Sequence, residues 1–336
     1  MSTAFPTVSV LVPTYNRAGF LKQAIDSVLA QTFGDFELVI SDNASTDDTQ
    51  ALVQSYSDAR IIYSRNPRNI GWQANMKRCL ALARGEYVTF LPDDDLMMPE
   101  NLERKVCILR RYPYVGLVHS RFHMIDEEGQ IIRDSTNWGH GPERDFDVIE
   151  SGYAVLKRML TGFCEVNLPT ALFRRDVRDR VGEWTDQLHH TDDYEYWMRI
   201  AVCYDVAYLA SPLIKWRWHQ GSLTSQHIKE SATGVTAEGL CEQLLAKRMV
   251  LERYWYRIPE VAALKRMVRQ ETRNRVVLQA DVMLDNGVSR QEARAFLLKM
   301  CRTFPELCLS FNVWKTFLKT VLSPRSVQIL KAVCRP

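Results

Sequence analysis

The sequence predicts an α/β protein built on a mostly parallel sheet, with a mixed second half and a helical C-terminal region. Three observations predict it. In the first third of the chain, short and almost continuously apolar runs alternate with segments whose apolar residues recur at helical spacing. Each run stops at a cluster of turn residues, and the connections are short. From residue 226 onward strand-like runs give way to amphipathic helical patterns.

In order, residues 7–12 (TVSVLV) form a strand buried on both faces, broken by Pro13-Thr14-Tyr15-Asn16-Arg17. Phe20, Leu21, Ala24, Ile25, Val28 and Leu29 follow at helical spacing. Residues 36–41 (FELVIS) are the second strand. Ser45 or Thr46 is placed to cap the next helix, with Asp47 and Asp48 in its first turn. Residues 60–64 are the third strand, 66–71 a polar turn, and Met76 and Leu80 lie in the helix behind it. Residues 87–91 are the fourth strand, ended by Pro92, and 100–111 the next helix. This alternation requires right-handed crossovers and puts ligands beyond the carboxyl ends of the strands.

The alternation then stops. Residues 115–126 read as a strand with a hairpin turn at 126–130, 134–147 as a polar loop, 148–160 as a helix and 168–173 as a strand. Thr191 or Asp192 caps a helix with Tyr196, Trp197, Ile200 and Ala201 on its inner face. Residues 206–218 are strand-like, interrupted by Pro212.

Composition narrows the function classes. A content of 46% hydrophobic and 25% charged residues over 336 positions gives a globular protein of one large or two ordinary domains. Eight scattered cysteines with no CxxC fit reduced core thiols in a cytosol, not disulfides or zinc. No basic n-region opens the chain and no run of about 18 apolar residues occurs, so neither a signal peptide nor a membrane span is expected. The net charge of +3 hides a division: from Gln226 on, 19 Lys/Arg stand against 10 Asp/Glu. An acidic front and a basic tail suggest two functional regions, the second preferring anionic partners.

Residues 85–99 (GEYVTFLPDDDLMMP) are the chemical centre. Asp93, Asp94 and Asp95 at a strand end repel one another, so a compensating cation suits them, and hard oxygen ligands suit Mg²⁺ or Mn²⁺ carrying a phosphorylated ligand. A solvated acidic loop or helix cap is the plainer reading. With Pro13–Tyr15 and Asp42 at two other strand ends, three ends converge on one crevice. Asp192 and Asp193 open a helix, where a carboxylate is either a cap or a fixed general base.

The segments VSVLVPTYNR (8–17), FELVISDNASTDDT (36–49), NIGWQANMKRCLALARGEYVTFLPDDD (69–95), DDYEYWMRIA (192–201) and WRWHQGSLTS (216–225) together resemble the family 2 glycosyltransferases. The resemblance covers roughly residues 5 to 225. It implies an inverting enzyme of GT-A fold: a Rossmann-like donor half, a mixed acceptor half, a domain over 1–225, and 226–336 as a helical region for acceptor or membrane contact. By the same resemblance Pro13 and Tyr15 wall the base pocket, Arg17 and Arg68 lie near phosphate or base, and Asp42 accepts the imino N–H of uracil. Asp95 is the metal ligand, and Asp93 and Asp94 lie near ribose and metal. Pro92 stands where the family usually has an aspartate, which leaves the division among the three acids open. Asp193 is the catalytic base, with Asp192 replacing the usual glutamate, and His219 contacts metal or diphosphate unless it merely packs between tryptophans.

The implied reaction moves a sugar from a nucleotide diphosphate sugar, UDP favoured through Asp42, to a saccharide or lipid-linked saccharide in surface polysaccharide synthesis. A nucleotidyltransferase is the rival enzyme, but it needs a Gly-rich basic loop where PTYNRAGF stands. A non-catalytic carbohydrate-binding or scaffold protein on this fold would not need Asp95 and Asp193 together. In the tail, Phe311, Trp314, Phe317, Leu318, Val321 and Leu322 form an apolar stripe that either docks on the core or lies on an anionic membrane. The expected location is cytoplasmic, with peripheral contact at the inner face of the cell membrane as the second option. Nucleic acid is not an expected partner, because the basic residues are spread through amphipathic helices.

Overall fold

In the computed structural model residues 5–135, 144–222 and 236–321 are described. Ten strands form one sheet in the order β3-β2-β1-β4-β9-β6-β10-β5, with β7 beside β6 and β8 beside β10. The first half is β1 (Val8–Thr14), α1 (Ala18–Leu29), β2 (Phe36–Asp42), α2 (Thr49–Gln54), β3 (Ile61–Arg65), α3 (Trp72–Leu82), β4 (Tyr87–Phe90), β5 (Leu96–Met97) and α4 (Asn101–Arg111). It continues through β6 (Val115–Ile125), β7 (Ile131–Ser135), β8 (Val148–Glu150), α5 (Gly152–Thr161), β9 (Leu172–Arg174), α6 (Val177–Val181), α7 (Asp192–Cys203) and β10 (Asp205–Arg217).

Every residue of β1 and β2 is buried, as uninterrupted apolar runs require when helices cover both faces. β1 pairs in parallel with both β2 and β4, and β2 with β3. β9 is antiparallel to both β4 and β6, and β10 is parallel to β6. The strands β3, β2, β1, β4, β6 and β10 therefore run the same way and end at one edge. Gly85 lets β4 start hard against β1: a Cβ there would sit 2.5 Å from the Ser9 nitrogen. Its own N–H donates to Ser9 Oγ at 2.8 Å.

Two local expectations are corrected. Residues 148–150 pair with β10 as a strand, and the helix begins only after Ser151, whose side chain accepts from the Ala154 N–H. Residues 168–170 form a 3₁₀ turn started by Pro169, which shortens the expected strand to Leu172–Arg174. Part of the polar loop at 134–147 lies outside the described residues.

The chain divides into two compact units, one up to His219 plus Arg257–Pro259, the other Gln220–Tyr256 and from Glu260 onward. The expected boundary at 225 lies outside the described residues. The second unit holds α8 (Ala237–Arg253), α9 (Val261–Asp285), α10 (Arg290–Thr303) and α11 (Phe311–Val321). Leu244, Val276, Phe296, Leu297, Met300 and Phe304 are central to its core, and α10 opens on a capping box made by Ser289 and Glu292.

Candidate active site

The common edge of the six like-directed strands collects the polar residues. After β1 and β2 the chain takes left-handed turns at non-glycine residues, Asn16 (φ 53°) and Ala44 (φ 65°). The two turns interlock: Asn16 N–H donates to Ser45 Oγ at 2.9 Å, and Thr46 N–H to Asn16 Oδ1 at 2.7 Å. Ser45 and Thr46 are thus engaged with the first loop and do not cap α2, which starts at Thr49 without a side-chain cap. Pro13 is buried at the end of β1, while Tyr15 just beyond it is 43% exposed.

Asp42 is fully buried. Its Oδ1 accepts from the Ser45 N–H at 2.8 Å; its Oδ2 accepts from Tyr63 Oη at 2.7 Å and faces Arg65 Nε at 3.3 Å. A base imino N–H reaches it only when this cover yields. Arg68 is exposed in the turn after β3 and makes no ion pair among the described residues. Carboxamides build that turn: Asn43 Nδ2 donates to Asn69 Oδ1 (2.8 Å), Ile70 N–H to Asn43 Oδ1 (2.9 Å) and Asn66 Nδ2 to Asn75 Oδ1 (2.8 Å). The sequence reading did not single these out, although three asparagines within 66–75 were the signal.

The acidic triplet is buried, with Asp93, Asp94 and Asp95 exposed by 3, 7 and 1%. Arg17 bridges Asp93 (3.1 Å) and Asp94 (2.8 Å), so its guanidinium is committed to carboxylates instead of standing open for a phosphate. Thr14 Oγ1 donates to Asp93 at 2.8 Å, and His219 Nε2 lies 2.9 Å from Asp94 Oδ2. Arg217 is the cation that sequence reasoning missed. Its N–H donates to Asp95 Oδ1 and its Nε to the Asp94 carbonyl, both at 2.8 Å. Strand alternation turns it inward between two tryptophans, which was the available signal. Burial and then the charge of Asp94 raise Asp93 to about 6 and Asp95 well above the usual carboxylate range. Asp95 Oδ2 is buried and has no partner.

A second carboxylate pair opens α7. Asp192 is buried, and its Oδ2 accepts from Trp184 Nε1 at 2.8 Å and Gln73 Nε2 at 3.3 Å. Trp184 stacks on Tyr196 (4.5 Å) and meets Phe90, the last residue of β4, edge-on at 5.6 Å. Gln73 also donates to the Leu188 carbonyl and faces His189 Nδ1 at 3.1 Å. These contacts fasten the start of α7 to the start of α3 and the end of β4. Asp193 is half-buried and accepts the Tyr194 N–H at 2.7 Å. Burial and then the Asp192 charge raise it to about 7. Its charge is felt by Cys164, in the segment that enters β9 from this same edge. Asp95 and Asp193 thus lie at one edge of the sheet.

The sequence signature of glycosyl transferase family 2 spans residues 9–177, half of the chain. The chain belongs to this family. An uncharacterized glycosyltransferase of Rickettsia typhi is 26% identical over 230 residues, 68% of this chain and 69% of that protein. A GalNAc(5)-diNAcBac-PP-undecaprenol beta-1,3-glucosyltransferase of Campylobacter jejuni is 35% identical over 156 residues, 45% of this chain and 48% of its own length. Among solved structures, S. aureus TarS 1-349 in complex with UDP-GlcNAc superposes with a TM-score of 0.64 at 19% identity, covering 96% of this chain and 83% of that one. The mannosyltransferase PcManGT from Pyrobaculum calidifontis, with GDP-Man and Mn²⁺, gives 0.51 at 19%, covering 95% and 85%. The fold of this glycosyltransferase is GT-A.

The PcManGT structure holds Mn²⁺. Among the described residues no three His, Cys, Asp or Glu are grouped to enclose a metal. The unpartnered Asp95 Oδ2, beside two further acids, does fit a single hard-oxygen ligand whose remaining partners come from diphosphate and water. His219 Nε2 is taken up by Asp94, and its ring packs 4.9 Å from Phe20.

Proposed function

We propose that this glycosyltransferase is an inverting enzyme that moves a sugar from a nucleotide diphosphate sugar to a saccharide hydroxyl in one displacement. The observation that supports it is Asp193: a carboxylate at the edge where Asp95 lies, with a proton affinity near neutrality and no cationic partner among the described residues. Asp193 removes the acceptor hydroxyl proton as that oxygen attacks the anomeric carbon, on the face opposite the leaving group. No enzyme nucleophile is required. Asp95 would hold Mg²⁺ or Mn²⁺, joined by His219 only when its Nε2 leaves Asp94, and the ion when bound neutralises charge on the departing diphosphate. Pro13 and Tyr15 offer the base a flat apolar wall, and Arg68 lies free to reach phosphate. Asp42 favours a base with an imino N–H, which uracil has and cytosine and adenine lack, once Tyr63 or the Ser45 turn gives way.

The acceptor is read as a saccharide, lipid-linked as in the Campylobacter relative, with the enzyme on the cytoplasmic side of an anionic membrane during surface polysaccharide assembly. No helix among the described residues is long and apolar enough to cross a membrane. A thermal-shift panel of UDP-, GDP- and dTDP-sugars, with and without Mn²⁺, tests the donor side. Stabilisation by UDP-sugars that requires Mn²⁺ is expected; stabilisation by GDP-sugars alone would overturn the UDP reading.

A further inference from the structure

Helix α11 is amphipathic in the inverted sense. Its inner face buries Thr316 and Thr320 (2 and 1% exposed) beside Val313, while Phe311, Trp314, Leu318 and Val321 are 78, 49, 43 and 50% exposed. Their spacing of three, four and three residues makes one stripe along the helix. Leu309, 86% exposed, extends it at the N-terminal end. The sequence-based expectation of a single docking stripe is corrected: Phe317 turns inward against the helical core, Phe311, Trp314, Leu318 and Val321 do not, and Leu322 lies outside the described residues. An ordinary surface helix puts threonine outside and phenylalanine inside, so this face is built to be covered.

What covers it follows from charge. From Leu307 to Pro336 the sequence holds Lys315, Lys319, Arg325, Lys331 and Arg335 and no acidic residue. Lys315 flanks the stripe, exposed and without an ion pair among the described residues. Beside the start of α11 lies a groove of about 310 Å³ between α9 and residues 310–312, lined by Gln270, Arg273, Asn274 and Asn312. Arg273 Nε is buried there without a partner, whereas Asp281 in the same groove is neutralised by Lys319 at 2.7 Å. Leu278, 64% exposed, forms its apolar lip. Carboxamides and a guanidinium suit phosphate oxygens, and a tryptophan beside lysine suits the headgroup boundary.

We propose that the outer face of α11, with the adjoining groove, docks the helical unit on an anionic bilayer. Phe311, Trp314, Leu318 and Val321 enter the headgroup–acyl boundary, and Arg273 and Lys315 take lipid phosphates. This rests on the membrane-surface reading above and gives it a face. The test is flotation of the full chain with vesicles of equimolar phosphatidylglycerol and phosphatidylcholine, against phosphatidylcholine alone. Phe311→Ser with Trp314→Ser should lower partition about tenfold. Arg273→Gln with Lys315→Gln should erase the preference for anionic vesicles, with nucleotide-sugar thermal shifts unchanged in both. A wild-type chain that ignores anionic vesicles overturns the membrane reading and this face together. Binding that survives the Phe311/Trp314 change overturns the face alone. A dimer that the same change dissolves would make a second copy the occupant, and also overturn it.

Discussion

Two groups of buried carboxylates share one sheet edge, and they are compensated in opposite ways. Asp93 and Asp94 meet the Arg17 guanidinium, Asp94 also His219, and Asp95 accepts the Arg217 backbone N–H with that residue's positive charge nearby. Asp192 and Asp193 meet only neutral donors: an indole, a carboxamide and a backbone N–H. Burial raises the proton affinity of both groups, but only in the first do cations, Arg17 and Arg217, offset part of that rise, which leaves it the better placed to hold charge and accept another cation. The first arrangement suits diphosphate chemistry and the second proton transfer. The difference lies in the company each group keeps, since all five residues are aspartates.

The most damaging change should be Asp193→Asn. It preserves shape and removes the proton acceptor, so transfer is expected to fall about a thousandfold while donor-induced thermal shifts persist. Near-normal turnover would end the contrast between the two groups. Asp95→Asn comes next: Mn²⁺-dependent donor binding should weaken at least about tenfold. The same change should raise the melting temperature of the free protein at neutral pH. Folding pushes Asp95 above its ordinary value, so its charged form opposes the folded state and the stability it contributes at low pH is lost as pH rises. A lower melting temperature would show that the charge is already compensated.

A third effect is one of pH. With Asp193 as the proposed base, active as its anion, kcat/KM should climb with pH and level off above about 7. Asp192→Asn, which removes the neighbouring charge, should move that rise to lower pH; an unmoved profile would separate the two residues. The smallest effects belong to Trp184→Phe and Gln73→Leu, each expected to lower kcat by about three- to tenfold at unchanged donor KM. In an Asp192→Ala background neither should cost more, because both act through that carboxylate.

How much of this was legible depended on the kind of residue involved. β1, β2 and β4 could be read because strands covered on both faces leave continuous apolar runs. The acid triplet and the Asp192–Asp193 pair stood out as unusual charge at element ends. Their partners did not. Arg217 lies 122 positions from Asp95, and Gln73 lies 119 from Asp192, so only the folded sheet brings them together. Gln73 and Trp184 are neutral residues in unremarkable contexts, and the Asn43–Asn66–Asn69–Asn75 network reads locally as a turn. In α11 the apolar period was correct, but periodicity cannot say which face a neighbouring helix will take.

Arg217 has one more consequence, for anyone recombining this enzyme with its relatives. A single guanidinium reaches the Asp94 carbonyl, the Asp126 and Glu127 carbonyls of the hairpin before β7, and Gln23 on α1. Three stretches far apart in the chain are tied at one point, so exchanging any one by itself severs the knot. Chimeras that transplant the hairpin should therefore be cut beyond residue 127, or carry the acid loop and the end of β10 along with it.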